Sequence, residues 1–316
     1  KTFQKMGGVR VADPGQMLIV LDHNAPPADA KLANQYQEIR DIAASQGIKR
    51  FHDAGRGICH QIMSYYARPG MLIVGSDSHT STAGAFNAFA AGIDRTESAG
   101  IWKKAETWFR VPESLKITLK GRLGQGVYAK DLALWIIGML GADGANYMSV
   151  EYHGDGVGSL SVSDRMTLAN LASEMGAKNA VFPADSVLLD FLGKDADISA
   201  GVWADEGAYY AREISIDLDE IIPVVSAPHN VDNIKSVAEV AGVPVSEGLI
   251  GTCTNGRIED LRIAAEILRS RKIKEGFQLN VIPASDRILL QAIDEGIAAV
   301  FVEAGASILP PSCGPC

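Results

Sequence analysis

Along most of this chain, short runs rich in Val, Ile and Leu alternate with amphipathic stretches of helical length. That alternation constrains the fold more than any other feature, because strands separated by helices need crossover connections and so pair in parallel. Residues 17–23 (MLIVLDH) read as a buried strand, 29–46 as a helix, 49–54 (KRFHDA) as the next strand and 71–79 (MLIVGSDSH) as a third. This is a doubly wound pattern, in which ligands gather at the carboxyl ends of strands. Asp22-His23 and Asp77-Ser78-His79 both fall at such ends.

A second segment starts near residue 112, with a strand at 114–121 (SLKITLKG), an apolar helix around Trp135 and a helix from about 163 to 177. A third starts near 223, where PVVSAPHNVDN supplies linker residues. It holds a strand ending at GTC, a helix from about 259 to 270, and strands near LNVIPA and AVFVEAG. The expected organisation is therefore three α/β segments, 1–111, 112–222 and 223–316. With 316 residues, 47% of them hydrophobic, the chain has material for a large core.

Charge narrows the partners. Against 38 Asp and Glu stand 29 Lys and Arg, a net charge of −9, which disfavours a broad basic surface for nucleic acid or an anionic membrane. The longest apolar run, 132–142, falls short of the roughly 20 residues that span a bilayer, and a cytoplasmic protein is expected. Lys1 is not an initiator Met and Cys316 closes the chain inside a CxxC turn, so further residues are expected on both sides.

Four cysteines are too few for a disulfide framework in a chain of this length. Three lie in turn-forming sequence, GTCTNGR (Cys253) and PSCGPC (Cys313, Cys316), each just after an expected strand. Three thiolates can hold a four-iron, four-sulfur cube with one iron left open, which acts as a Lewis acid toward a hydroxyl. The same residues admit a thiol–disulfide motif in CGPC, or a zinc site of three Cys and one His. Asp77 and His79 are two apart, so in extended geometry they share a face. His23 joins Asp22 only if the strand has already turned, and His60 follows DAGRGIC at the start of an expected helix. Each histidine alone reads more readily as a core or capping residue; three polar clusters at strand ends together suggest a site that moves protons. Asn170 and Glu174, spaced i, i+4, read by themselves as a solvated helix face.

Six ordered motifs, DH (Asp22-His23), GICHQ (His60), GSDSHT (Asp77 to His79), NLASEMGA (Asn170, Glu174), GTCTNGR (Cys253, Asn255) and CGPC (Cys313, Cys316), resemble the aconitase superfamily over nearly the whole chain. They look most like the separate large subunits of 3-isopropylmalate dehydratase and homoaconitase. The resemblance implies an aconitase-like three-domain α/β/α assembly with mostly parallel sheets around a central cluster. It implies a 4Fe-4S cluster held by Cys253, Cys313 and Cys316, and catalytic roles for Asp22, His23, His60, Asp77, His79 and Glu174. Ser78, Asn170 and Asn255 would lie beside substrate or cluster. It also implies a small-subunit partner carrying the swivelling domain and its base, and a small hydroxy di- or tricarboxylic acid substrate. Isopropylmalate in leucine biosynthesis is the first expectation, with homoaconitase or 2,3-dimethylmalate dehydratase as alternatives.

Overall fold

The computed structural model describes residues 2–193 and 195–314. By their contacts these residues form two discontinuous units, one from 1–65, 95–107 and 244–316 and the other from 66–94 and 108–243. The sheets are mostly parallel α/β, as the alternation requires.

In the first unit, strand Leu18–Val20 pairs in parallel with Arg50–His52 across helix Ala30–Gln46. That helix starts where expected because the Asp29 carboxylate accepts the N–H of Leu32 at 2.7 Å, and it ends in a left-handed Gly47. A three-stranded parallel sheet orders Glu247–Ile250, Gln278–Val281 and Ser307–Ile308, with Ile250, Val281 and Ile308 in register. Its core joins Val281, Leu261, Phe301 and Ile58, none more than 1% exposed. At about 25 cal/mol per Å2, completely buried side chains of this size contribute about 1.5–3 kcal/mol each.

The Val-rich stretch 299–305, expected as a strand, instead lies in helix Ile297–Ala304. Ile297, Phe301 and Ala304 face the core while Val302 and Glu303 are exposed, a helical period that overrides the β-propensity of Val. Gly296 and Gly305, both in the left-handed region, bracket it, and the strand follows at once at Ser307–Ile308.

The second unit is built on a four-stranded parallel sheet. Its strand order is Asn179–Val181, Ser149–His153, Ser114–Lys120 and Arg212–Asp217. SLKITLK buries every second residue, and Leu115, Ile117 and Leu119 are wholly inaccessible. Strands Leu72–Gly75 and Phe89–Gly92 form a separate parallel pair, linked by a 3-10 segment Ser78–Phe86 that packs against helix Val162–Leu171. The approach is close: a Cβ on Gly84 would lie 1.6 Å from the carbonyl oxygen of Ala180. Two expectations change here. The strand expected over 71–79 stops at Gly75, and the helix expected over 163–177 is α-helical only to Leu171, after which Ala172–Met175 tightens into a 3-10 turn.

Candidate active site

In the first unit the chemistry gathers where strand Leu18–Val20 ends. Asp22 is 3% exposed, and each of its oxygen atoms is engaged. Oδ2 accepts the backbone N–H of Cys59 at 2.6 Å, Oδ1 meets His23 Nδ1 at 3.0 Å, and the carbonyl oxygen accepts the N–H of Cys313 at 2.9 Å. Burial works to raise this carboxyl's pKa, but the bonds from His23 and Cys59 outweigh it and hold it below the usual value. The chain has already turned at His23, so consecutive side chains can meet. The His23 ring is 55% exposed, and its carbonyl is held by the Tyr36 hydroxyl. His60 takes the second position of the short helix Cys59–Met63 and is 6% exposed. Its ring nitrogens lie 3.8 and 3.7 Å from Cys59 Sγ.

Cys253 and Cys313 follow the two outer strands of the three-stranded parallel sheet, each partly buried. The turns that carry them wrap tightly on the middle strand's continuation. A Cβ on Gly251, at φ +129°, would lie 2.1 Å from the Ile282 carbonyl oxygen, so only glycine fits there. Beside Cys253, Asn255 donates to Asp260 Oδ1 at 2.9 Å, while its own Oδ1 is buried without a hydrogen-bond partner. Cys316 lies outside the described residues.

In the second unit Asp77 and His79 do meet, through a turn rather than along a strand. The Asp77 carboxylate caps the 3-10 segment by accepting the His79 N–H at 2.8 Å, and its Oδ1 lies 3.8 Å from His79 Nδ1. Ser78 Oγ is 3.3 Å from the same nitrogen. Across the ring, Nε2 lies 2.8 Å from Glu174 Oε1, and this bond keeps the Glu174 carboxyl below its usual range. Glu174 therefore departs from a solvated face: the 3-10 turn after Leu171 aims it at His79. Asn170 is fully buried and donates to Thr82 Oγ1 at 2.9 Å, which in turn donates to the His79 carbonyl at 2.6 Å.

Three contributors escaped the sequence reading: the Cys59 backbone N–H, Tyr36 and Thr82. The first acts through a main-chain group, which has no signature of its own. Tyr36 and Thr82 act across 13 and 3 residues on carbonyl groups, and only the neighbourhood of Thr82 to GSDSHT offered a hint.

Comparison with known proteins gives the same direction. The chain is 47% identical to a 3-isopropylmalate dehydratase large subunit of Archaeoglobus fulgidus, over 98% of this chain and 74% of that protein. It is 43% identical to one of Methanopyrus kandleri over 99% and 76%. With a probable methanogen homoaconitase large subunit of Methanosarcina mazei it shares 44% over 99% and 81%. Among solved structures, holo aconitase X of Thermococcus kodakaraensis superimposes with a TM-score of 0.55 at 12% identity, covering 98% of this chain and 73% of that one, a likeness of fold alone. The model of the aconitase family (aconitate hydratase) matches residues 9–241 and 233–316, and with relatives above 40% identity across nearly its whole length the chain belongs to the aconitase family.

Proposed function

We propose that this chain is the iron–sulfur large subunit of a hydro-lyase that interconverts 3-isopropylmalate and 2-isopropylmalate, working with a small subunit. The observation that carries the reading is Asp22, one buried carboxylate residue that binds His23, the turn of Cys59 and the turn of Cys313 together. The family implies an iron–sulfur cluster, and the described residues fit one. Cys253 and Cys313 leave the same end of one parallel sheet, half-buried, on turns drawn close against Ile282 at Gly251 and Gly314. Cys253, Cys313 and Cys316 would hold the cluster, which when bound supplies an open iron as a Lewis acid for a substrate hydroxyl.

The chain's own residues hold and move protons. A carboxylate only accepts, so the hydrogen between Asp22 and His23 sits on Nδ1, and His23 exchanges protons at Nε2. In the second unit Nε2 of His79 donates to Glu174, which leaves Nδ1 to accept from Ser78 and to take up a second proton 3.8 Å from Asp77. Such a ring is suited to protonating a departing hydroxyl. The buried Oδ1 of Asn255 is an acceptor that a water or substrate hydroxyl would satisfy. His60 serves the same reaction from a buried helix start. The base that removes the carbon-bound proton belongs to the small subunit, so the large subunit alone is inactive. A homoaconitase reading is the second one, favoured by the 44% relative of Methanosarcina mazei.

The test is anaerobic reconstitution with iron and sulfide, read by visible absorption and by electron paramagnetic resonance after mild oxidation. Then the small subunit is added and turnover of isopropylmalate and homoaconitate is compared. A three-iron signal lost in Cys253→Ala and Cys313→Ala, with isopropylmalate preferred, is the expected result. Absence of a cluster together with a Cys313–Cys316 disulfide would overturn the reading.

A further inference from the structure

Within the second unit a cavity of about 390 Å3 opens at the amino ends of strands Leu72–Gly75, Phe89–Gly92, Ser149–His153 and Asn179–Val181. The His79 turn leaves the carboxyl end of the first of these strands, so the cavity lies at the other end of the strands from that turn. Its volume falls within the range of small-molecule sites, and its walls are mainly apolar, with Met71, Leu72, Phe89 and Val181 among them.

One carboxylate and one indole stand out in that lining. Glu151 is 15% exposed at its side chain. Its Oε2 lies 3.1 Å from the Tyr210 hydroxyl and 3.3 Å from His153 Nε2. Among the described residues, Oε1 makes no hydrogen bond. The Tyr210 hydroxyl is held as a neutral donor, its pKa pushed up to about 12 by burial and by the Glu151 charge. Trp203 lies against the His153 ring with centroids 4.8 Å apart and is 36% exposed. No Lys or Arg lines the cavity.

We propose that this cavity binds a small primary ammonium with an apolar body. The ammonium donates to Glu151 Oε1, where a charge-assisted bond in a partly desolvated site is stronger than a neutral one. The Trp203 face attracts the same cation through its ring quadrupole. The apolar body covers Leu72, Met71 and Val181, of which Leu72 is 63% and Met71 43% exposed without it. A carboxylate-bearing ligand is rejected because no Lys or Arg is in the lining, and Lys116, opposite Glu151 on the neighbouring strand, is paired with Glu213 at 3.2 Å. The site therefore discriminates against the hydroxy acids that the proposed reaction uses, and acts separately from it.

The experiment is ligand-observed saturation-transfer NMR on the chain with isopentylammonium, isopentanol and isovalerate. A titration followed by tryptophan fluorescence accompanies it. Saturable binding of isopentylammonium is expected, with the alcohol and the acid at least about tenfold weaker, and with affinity lowered about tenfold or more in Glu151→Gln. Val181→Phe, which fills the cavity from the strand position paired with Glu151 while keeping its charge, abolishes binding. Equal binding of the alcohol, no saturation by the ammonium, or unchanged affinity in a folded Glu151→Gln would overturn the proposal. Should Glu151→Gln fail to fold by circular dichroism, retained binding in Val181→Phe overturns it and loss of binding supports it.

Discussion

Asp22 shows how much one side chain carries. Replacing it by Asn keeps the shape but substitutes an amide N–H2 for one acceptor, so either Cys59 N–H or His23 Nδ1–H faces another donor in a site 3% exposed. A buried donor left unsatisfied costs about 1–3 kcal/mol. Asp22→Asn is expected to lower stability by that amount in urea unfolding and to cut turnover as well, since His23 loses the partner that fixes its tautomer. A variant with unaltered stability would show that the two side-chain bonds, to Cys59 N–H and to His23, do not hold the turn in place. At Glu174 the expected loss is functional. Glu174→Gln still reaches His79 but offers no charge, and removal of such an orienting carboxylate typically costs about 10–100-fold. Because hydrogen bonding to His79 holds the Glu174 carboxyl below its usual value, the wild-type pair persists above the ordinary carboxylate range and is lost as pH falls through the lowered value. The part of the kcat ratio of wild type to Glu174→Gln that follows the titration of Glu174 itself should therefore be constant near neutrality and shrink only in acid. A ratio that changes between pH 6 and 8 would assign the titration to another group.

Among the elements, helix Val162–Leu171 positions the His79 turn, and its own anchor is an ion pair. The Arg165 side chain, wholly buried, donates to Asp185 at 2.8 and 2.6 Å, and Asp185 also caps helix Ser186–Leu192. Burial tends to raise the Asp185 carboxyl's pKa, but the Arg165 bonds and charge outweigh it, leaving the pKa below its usual value. The depressed value means that the pair stabilises the fold above about pH 4 and ceases to do so as pH drops through the folded-state pKa. Asp185→Asn strands a buried charge, and a loss of about 3 kcal/mol or more is expected at pH 7. The difference from wild type should narrow below about pH 4 in denaturant titrations; a constant difference would mean the cap, not the charge, matters. At this scale the sequence was mostly legible. The helix expected over 29–46 is Ala30–Gln46, and the strand expected over 114–121 is Ser114–Lys120. It was illegible where local preference and tertiary need diverge. The run 299–305 carries β-formers on a helical period, and 76–79 reads as strand although Asp77 caps a turn there. The Glu174 to His79 contact spans 95 residues, beyond any local pattern. Only the resemblance pointed to Glu174.

Over the whole molecule, the division into segments 1–111, 112–222 and 223–316 follows the chain, whereas contacts group 66–94 with 108–243. The polar bonds between these two stretches are specific. Asn87 donates to the carbonyls of Phe182 and Val202 at 2.8 and 2.9 Å and accepts the Val202 N–H at 2.8 Å. Asn179 accepts the Ala90 N–H at 3.0 Å, Lys178 donates to the Gly92 carbonyl at 2.7 Å, and Ser81 donates to that of Ala169 at 2.7 Å. Asn87, Asn179 and Ser81 are each no more than 3% exposed, so excising 112–222 strips partners from buried groups and uncovers the apolar surface beneath Phe86 and Ala90. Each orphaned buried group costs about 1–3 kcal/mol, and a few of them equal the 5–15 kcal/mol that a domain has in total. A fragment of residues 112–222 should therefore give weak near-ultraviolet circular dichroism and no cooperative melt. Residues 66–94 joined through a short Gly-Ser linker to 108–243 should give both. A cooperative melt of 112–222 matching the joined form would show that the middle segment folds alone and that the contacts with 66–94 are docking rather than core.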